Sequence, residues 1–340
     1  MVDSQGLYRP LAPLACVDAT DSTLAERAGE LIVVNKLAGL VQFYGAADQL
    51  LRGEITMEPF PHEVVIEPAG HRAFVSIYGR GVFGRNSEAP GRTIAIIDLA
   101  TRSLAGSIGV SPWRGPHGMA FDAAGVLWVS CDVSGVILAV DTHTHQVLDA
   151  LETGSFGTHW LVACHRHDKL YASNKTFDFL CVVDTERRCL ATRIPFPEGS
   201  EGLALTPDGE RLFVTAQRPQ MMAVIDTATD QIIERVPLDV FAPTPADRNP
   251  QKRVRLSPDG AWVLVSSFST GEIAVAPSHD LHAMTRITVE KGPMGITFID
   301  AGTACVMNHD QGSISVVDVR RGVVIDRFET AAGPETLALF

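Results

Sequence analysis

The chain has 340 residues, 46% hydrophobic and 20% charged, enough apolar material for one large domain or two ordinary ones. Its formal net charge of −12, with no cluster of Lys and Arg, argues against a nucleic-acid partner, because phosphate backbones need such a cluster. No window approaches the roughly 18 apolar residues of a membrane span, and Met1-Val2-Asp3-Ser4-Gln5 lacks the basic-then-apolar order of a secretory signal. The expectation is a cytoplasmic protein with no membrane partner.

Residues 1–30 stand apart as an N-terminal arm, with a short helix near Ser22–Glu30. From residue 31 onward the chain repeats itself. Aligned on an apolar run and the turn that follows, the copies are PHEVVIEPAG (61–70), PHGMAFDAAG (116–125), THWLVACHRH (158–167), SEGLALTPDG (200–209), QKRVRLSPDG (251–260), PMGITFIDAG (293–302) and PETLALF (334–340). Successive starts lie 55, 42, 42, 51, 42 and 41 residues apart. A period near 42 is the length of a four-stranded propeller blade. Second strands follow at once (AFVSI, LWVSC, LYASN, LFVTA, WVLVS, ACVMN). Third strands end in Asp98, Asp141, Asp184, Asp226 and Asp318, which turn the chain through side-chain bonds to backbone N–H groups. Pro277 takes that place in one copy. The last copy stops after one strand, while LIVVN (31–35) and the two runs after it lack a partner. The C-terminal strand should therefore complete the N-terminal blade. The reading is an all-β, seven-bladed propeller over 31–340, four antiparallel strands per blade, its edges hidden by ring closure.

Two spacings exceed the period, by 13 residues at Tyr78–Arg92 and by 9 at Asp239–Pro250. In a propeller these two loop classes lie on one face, and long loops of this kind serve as walls or lids. Six cysteines (Cys16, Cys131, Cys164, Cys181, Cys189, Cys305) form no CxxC, and four sit in apolar runs, the pattern of reduced buried thiols.

The LYASN and LFVTA strands, with the VVDT/VIDT and LTPDG/LSPDG turns, resemble the YVTN-type (YncE-like) family of seven-bladed β-propellers, over nearly the whole repeat region. The resemblance implies the fold. It leaves function open, since related propellers include lactonases, metal-dependent lyases and proteins without known chemistry.

The alignment also fixes the residue that opens each first strand at the mouth of the central channel: His62, His117, His159, Glu201, Lys252, Met294 and Glu335. Around the ring Glu335, His62, His117, His159 and Glu201 are consecutive. Three imidazoles from adjacent blades fit a divalent transition metal such as Zn, Mn or Fe, leaving a position for water or substrate. Glu201 and Glu335 would complete the shell or orient the imidazoles. Polar channel residues also hold ordered water without any metal, and three histidines could serve there.

Second-strand ends reach the same face. Among them Tyr78, Arg80 and His309 are candidates for acid–base work, and Lys175, Arg218 and Lys252, together with Trp160, for binding a small, oxygenated, carboxylate-bearing substrate. Three axial histidines around a divalent metal resemble the metal-dependent lyases, which places a lyase first. A lactonase-type hydrolase with metal-activated water comes second, since propeller lactonases resemble a Glu/Asn/Asp calcium site more than a His-rich one. A non-enzymatic binding or scaffold propeller is the reading from a different class. The GxGxxG at Gly79–Gly84 precedes a strand rather than a helix and does not signal a dinucleotide. The HxH pairs at His143 and His165 fall in surface turns.

Overall fold

A computed structural model describes residues 29–80, 89–216, 219–243 and 250–340. Apart from Gly29 and Glu30 the arm lies outside them, as do parts of both long loops. The described chain folds into seven four-stranded antiparallel sheets arranged as a ring. Their innermost strands are Pro61–Ile66, Pro116–Phe121, Thr158–Cys164, Ser200–Leu205, Val254–Leu256, Pro293–Phe298 and Pro334–Leu339. The last of these pairs antiparallel with Glu30–Asn35, Ile32 opposite Ala338 and Val33 opposite Leu337. The N-terminal blade is thus closed by the C-terminal strand, as the repeat implies.

The strand pattern follows from position in the ring. Inner strands are covered on both faces by neighbouring blades, so runs such as Leu31–Val34 and Val136–Val140 are apolar throughout and buried. The outermost strands face solvent on one side and alternate, as in Gln146–Glu152. Each core cluster joins two adjacent sheets; Tyr171 and Leu180 of one blade pack with Leu203 and Leu212 of the next. Burying each such side chain is worth about 1.5–3 kcal/mol, so the interfaces between blades carry most of the stability. The turn aspartates act as expected: Thr101 N–H donates to Asp98 at 2.8 Å, Arg187 to Asp184 at 2.8 Å and Thr229 to Asp226 at 2.8 Å.

At Tyr78–Arg92 the excess is partly strand rather than loop. Arg72–Arg80 and Ala89–Asp98 are the longest strands described, and Arg80 pairs with Ala89. A two-stranded extension therefore projects over the face where first strands begin.

Candidate metal centre at the channel mouth

The opening residues do form a ring, and it is buried: His62, His117, His159, Glu201, Lys252, Met294 and Glu335 are each 5% exposed or less. Local backbone chemistry puts them there. In five blades the pairing of first and second strands slips across the ring residue and its successor, between Pro61 and Val64, Pro116 and Met119, Thr158 and Leu161, Ser200 and Leu203, and Pro293 and Ile296. Such a bulge re-aims side chains and frees backbone groups. In five blades a second-strand hydroxyl, on Ser76, Ser130, Ser173, Thr215 or Ser266, accepts the N–H of the residue after the ring residue. Ser130 Oγ accepts the Gly118 N–H at 2.9 Å and donates to the His159 carbonyl of the next blade at 2.6 Å. Thr215 does the same for Gly202 (2.9 Å) and Lys252 (2.8 Å), and Ser266 for Arg253 (3.1 Å) and Met294 (2.8 Å). These three blades thereby set the height of the next blade's ring residue.

The residue after the ring residue forms a lower tier, and here blades alternate. Gly118, Gly202 and Gly295 leave room for the next strand: a Cβ on Gly118 would lie 2.5 Å from the His159 carbonyl oxygen. Between them stand Glu63, Trp160, Arg253 and Thr336.

Within the ring, His62 Nε2 and His117 Nε2 lie 2.5 Å apart, and the His117 and His159 ring centroids are 3.8 Å apart. His62 Nδ1 is 3.3 Å from Glu335 Oε1. Glu335 thus stands on the far side of the imidazole from His117, where carboxylates stand behind metal-binding histidines, although Nδ1 makes no hydrogen bond to it. Two Nε2 atoms this close need either a shared proton or a cation between them. Nδ1 of His62 and His117 and both ring nitrogens of His159 have no hydrogen-bond partner, although buried. Burial first, and then the neighbouring cations, holds all three imidazoles well below the usual histidine range, so they stay neutral and competent as ligands. The residues fit a divalent cation.

The tightest candidate set differs from the three histidines. Ligand atoms of His62, Glu63 and His117 lie within 4.8 Å of one another, and all three residues are buried. Glu63 went unnoticed in the sequence because simple alternation points the residue after His62 away from the channel. The bulge turns it back in. Burial raises its carboxyl to about 8, with Arg253 acting in the opposite direction.

His159 Nε2 instead lies 3.3 Å from Glu201 Oε1, and that oxygen also receives Lys175 Nζ at 3.0 Å. Glu201 and Lys175, read separately as ligand and substrate group, form one buried ion pair beside His159. Glu335 links His62 to His309, whose Nε2 is 3.6 Å from Glu335 Oε2 and whose Nδ1 is 2.9 Å from Asp310. Tyr78 is fully buried, its hydroxyl donates to Asp132 Oδ2 at 3.1 Å, and its ring centroid is 5.5 Å from those of both His62 and His117. Lys252 Nζ donates to the Pro250 carbonyl at 3.2 Å. Arg80 is exposed at the end of its strand. Arg218 lies outside the described residues, as does most of the Gly79–Gly84 motif. Trp160 is not at the mouth; it stands in the lower tier, with the Arg253 guanidinium 4.1 Å from its ring centroid.

No family model matches the chain. The curated protein "Uncharacterized protein YncE" of Salmonella typhimurium is 26% identical over 239 residues, 66% of this chain. The chain spans 65% of the length of that relative. Among solved structures, the periplasmic gluconolactonase PpgL of Pseudomonas aeruginosa superposes with a TM-score of 0.71 at 17% identity, over 92% of this chain and 98% of that one. Hydrazine synthase of Kuenenia stuttgartiensis gives 0.69 at 16% identity, over 87% and 93%. At such identities the likeness is one of fold.

Proposed function

We propose, from the premise that the chain is a YncE-like seven-bladed β-propeller, that it is a metal-dependent enzyme acting on a small oxygenated substrate over the channel mouth. One observation carries this reading: buried His62, Glu63 and His117 bring their ligand atoms within 4.8 Å of one another. Zn, Mn or Fe bound there would supply a Lewis acid for a carbonyl or alkoxide oxygen. The chain's own groups supply the rest. Glu335 orients His62 from the side opposite His117. Tyr78, anchored on Asp132, holds a proton beside the two imidazoles and is the candidate acid–base group, with His309 behind Glu335 as the other. Arg80 and Lys252, with Lys175, bias the rim toward a carboxylate-bearing substrate. Proton abstraction and loss of a leaving group, the chemistry of a lyase, is the reading this set supports best. Hydrolysis of a lactone is the second reading, favoured by the fold shared with a gluconolactonase. The five described cysteines are unpaired, which supports a reducing, cytoplasmic setting.

Elemental analysis of protein purified without added metal tests the first step. Stoichiometric Zn, Mn or Fe supports the centre; its absence at every pH leaves a scaffold propeller. With metal present, a panel of sugar acids and lactones separates the two chemistries. A lyase yields an unsaturated product absorbing in the ultraviolet, and a lactonase releases acid without one. Tyr78→Phe should abolish the first activity while leaving metal content intact.

A further inference from the structure

The far end of the channel holds different chemistry. Below the ring lies a cavity of about 470 Å³, within the size range of small-molecule sites. It opens on the face of the turns between first and second strands, where exposed His165 stands at its edge. Much of its wall is apolar, with Val65, Phe121, Leu205 and Trp160 among the lining, and its charged side chains are Glu63, Arg253 and Arg255. Both guanidiniums lie against the same indole, 4.1 Å and 4.9 Å from its centroid. Arg253 is 4% exposed, and its Nη2 lies 3.4 Å from Glu63 Oε1 and 4.0 Å from Glu335 Oε1. Its Nε and Nη1 have no hydrogen-bond partner. Arg255 Nη1 makes only 3.4 Å contacts to the Leu203 and Val254 carbonyls.

A buried guanidinium with unmet N–H groups is costly unless an anion answers it. Here both carboxylates near Arg253, Glu63 at 3.4 Å and Glu335 at 4.0 Å, meet the same Nη2, and the Nε and Nη1 edge that remains is unanswered. We infer that this cavity is a second binding site, for an organic carboxylate with a flat apolar body. The carboxylate would take the free edge of Arg253, in the paired geometry guanidinium favours, with Arg255 as the second donor. The body would lie along Trp160 and the Val65–Phe121–Leu205 wall. The site adjoins the histidine ring through Glu63, but its guanidiniums and indole need no metal there to bind a carboxylate.

Benzoate, benzamide and inorganic phosphate are the probes, titrated by calorimetry against the whole protein. The expected result is saturable benzoate binding with Kd about 1 mM or tighter, absent for isosteric but neutral benzamide. Arg255→Gln, on a partly exposed side chain, should weaken benzoate at least about tenfold, and Arg253→Gln should do so too. His117→Ala should leave benzoate affinity unchanged while losing ring metal, so the two sites fail separately. No saturable benzoate binding overturns the inference. Equal binding of benzamide overturns its charge component, and binding of phosphate but not benzoate overturns its apolar component. Loss of benzoate affinity in His117→Ala would place the binding at the ring instead.

Discussion

The two ends of the central channel are built from neighbouring residues of the same strands, yet they offer opposite chemistry. At the mouth, His62, His117 and His159 stand as neutral donors flanked by carboxylates. One residue further along, Trp160 and Arg253 present cations on an aromatic face. The lesson is about the bulge. Where two residues of an inner strand oppose one of its partner, adjacent side chains both enter the channel at different heights. A seven-fold repeat can then carry two tiers of different chemistry, joined at Glu63.

The strongest way to break the comparison is His117→Ala, which should remove bound metal entirely from the purified protein while Arg255→Gln retains it. Metal loss in both variants, read by elemental analysis, would mean that the ends are one site.

Acid is next in size. In metal-stripped protein, burial keeps the three ring imidazoles well below the ordinary histidine range. Below about pH 6.5 the unfolded chain binds protons that the folded chain refuses, so stability falls on acidification by about 1.4 kcal/mol per pH unit for each histidine. Glu63, raised to about 8, acts the other way. The folded chain keeps a proton that the unfolded chain releases above about pH 4.5, and this stabilisation is lost as pH rises toward about 8. Three groups outweigh one, so urea midpoints should drop steeply between about pH 6.5 and 5 and decline gently above neutrality. A flat profile on the acid side would show that the imidazoles are not held neutral.

Gly118→Ala sharpens the account of how the tiers alternate. Its Cβ would meet the His159 carbonyl at 2.5 Å, and relief must come from shifting the neighbouring strand. The expected cost is about 1–3 kcal/mol with weakened metal retention. Wild-type melting and metal content would show that the lower-tier glycines are incidental. Smallest is Ser130→Ala, which leaves the Gly118 N–H and the His159 carbonyl without their shared partner. A loss of about 1–2 kcal/mol in chemical denaturation is expected, with metal still bound.

Much of this was legible in the residues alone. The 42-residue spacing located the blades, the closing strand and every ring position, because a repeat transfers register from one copy to the next. The lower tier was not legible. Its marks, glycine after His117, Glu201 and Met294 and a hydroxyl at Ser130, Thr215 and Ser266, have meaning only once the bulge is known. Strict alternation sends Glu63 out of the channel and so conceals it, and nothing in the spacing tells the height of Trp160 from that of His159 beside it. The joining of Lys175 to Glu201 needed distances between blades, which one chain's spacing does not supply.

Closure by the strand Pro334–Leu339 has a consequence for biogenesis. Glu335, which steadies His62, rides on the segment that leaves the ribosome after every other strand described here, and it docks beside residues translated among the first. Bringing such distant segments together is entropically slow. During that interval the nascent propeller has its imidazoles but not the carboxylate behind them, so the proposed cation site would be complete only after translation has passed the last strand described.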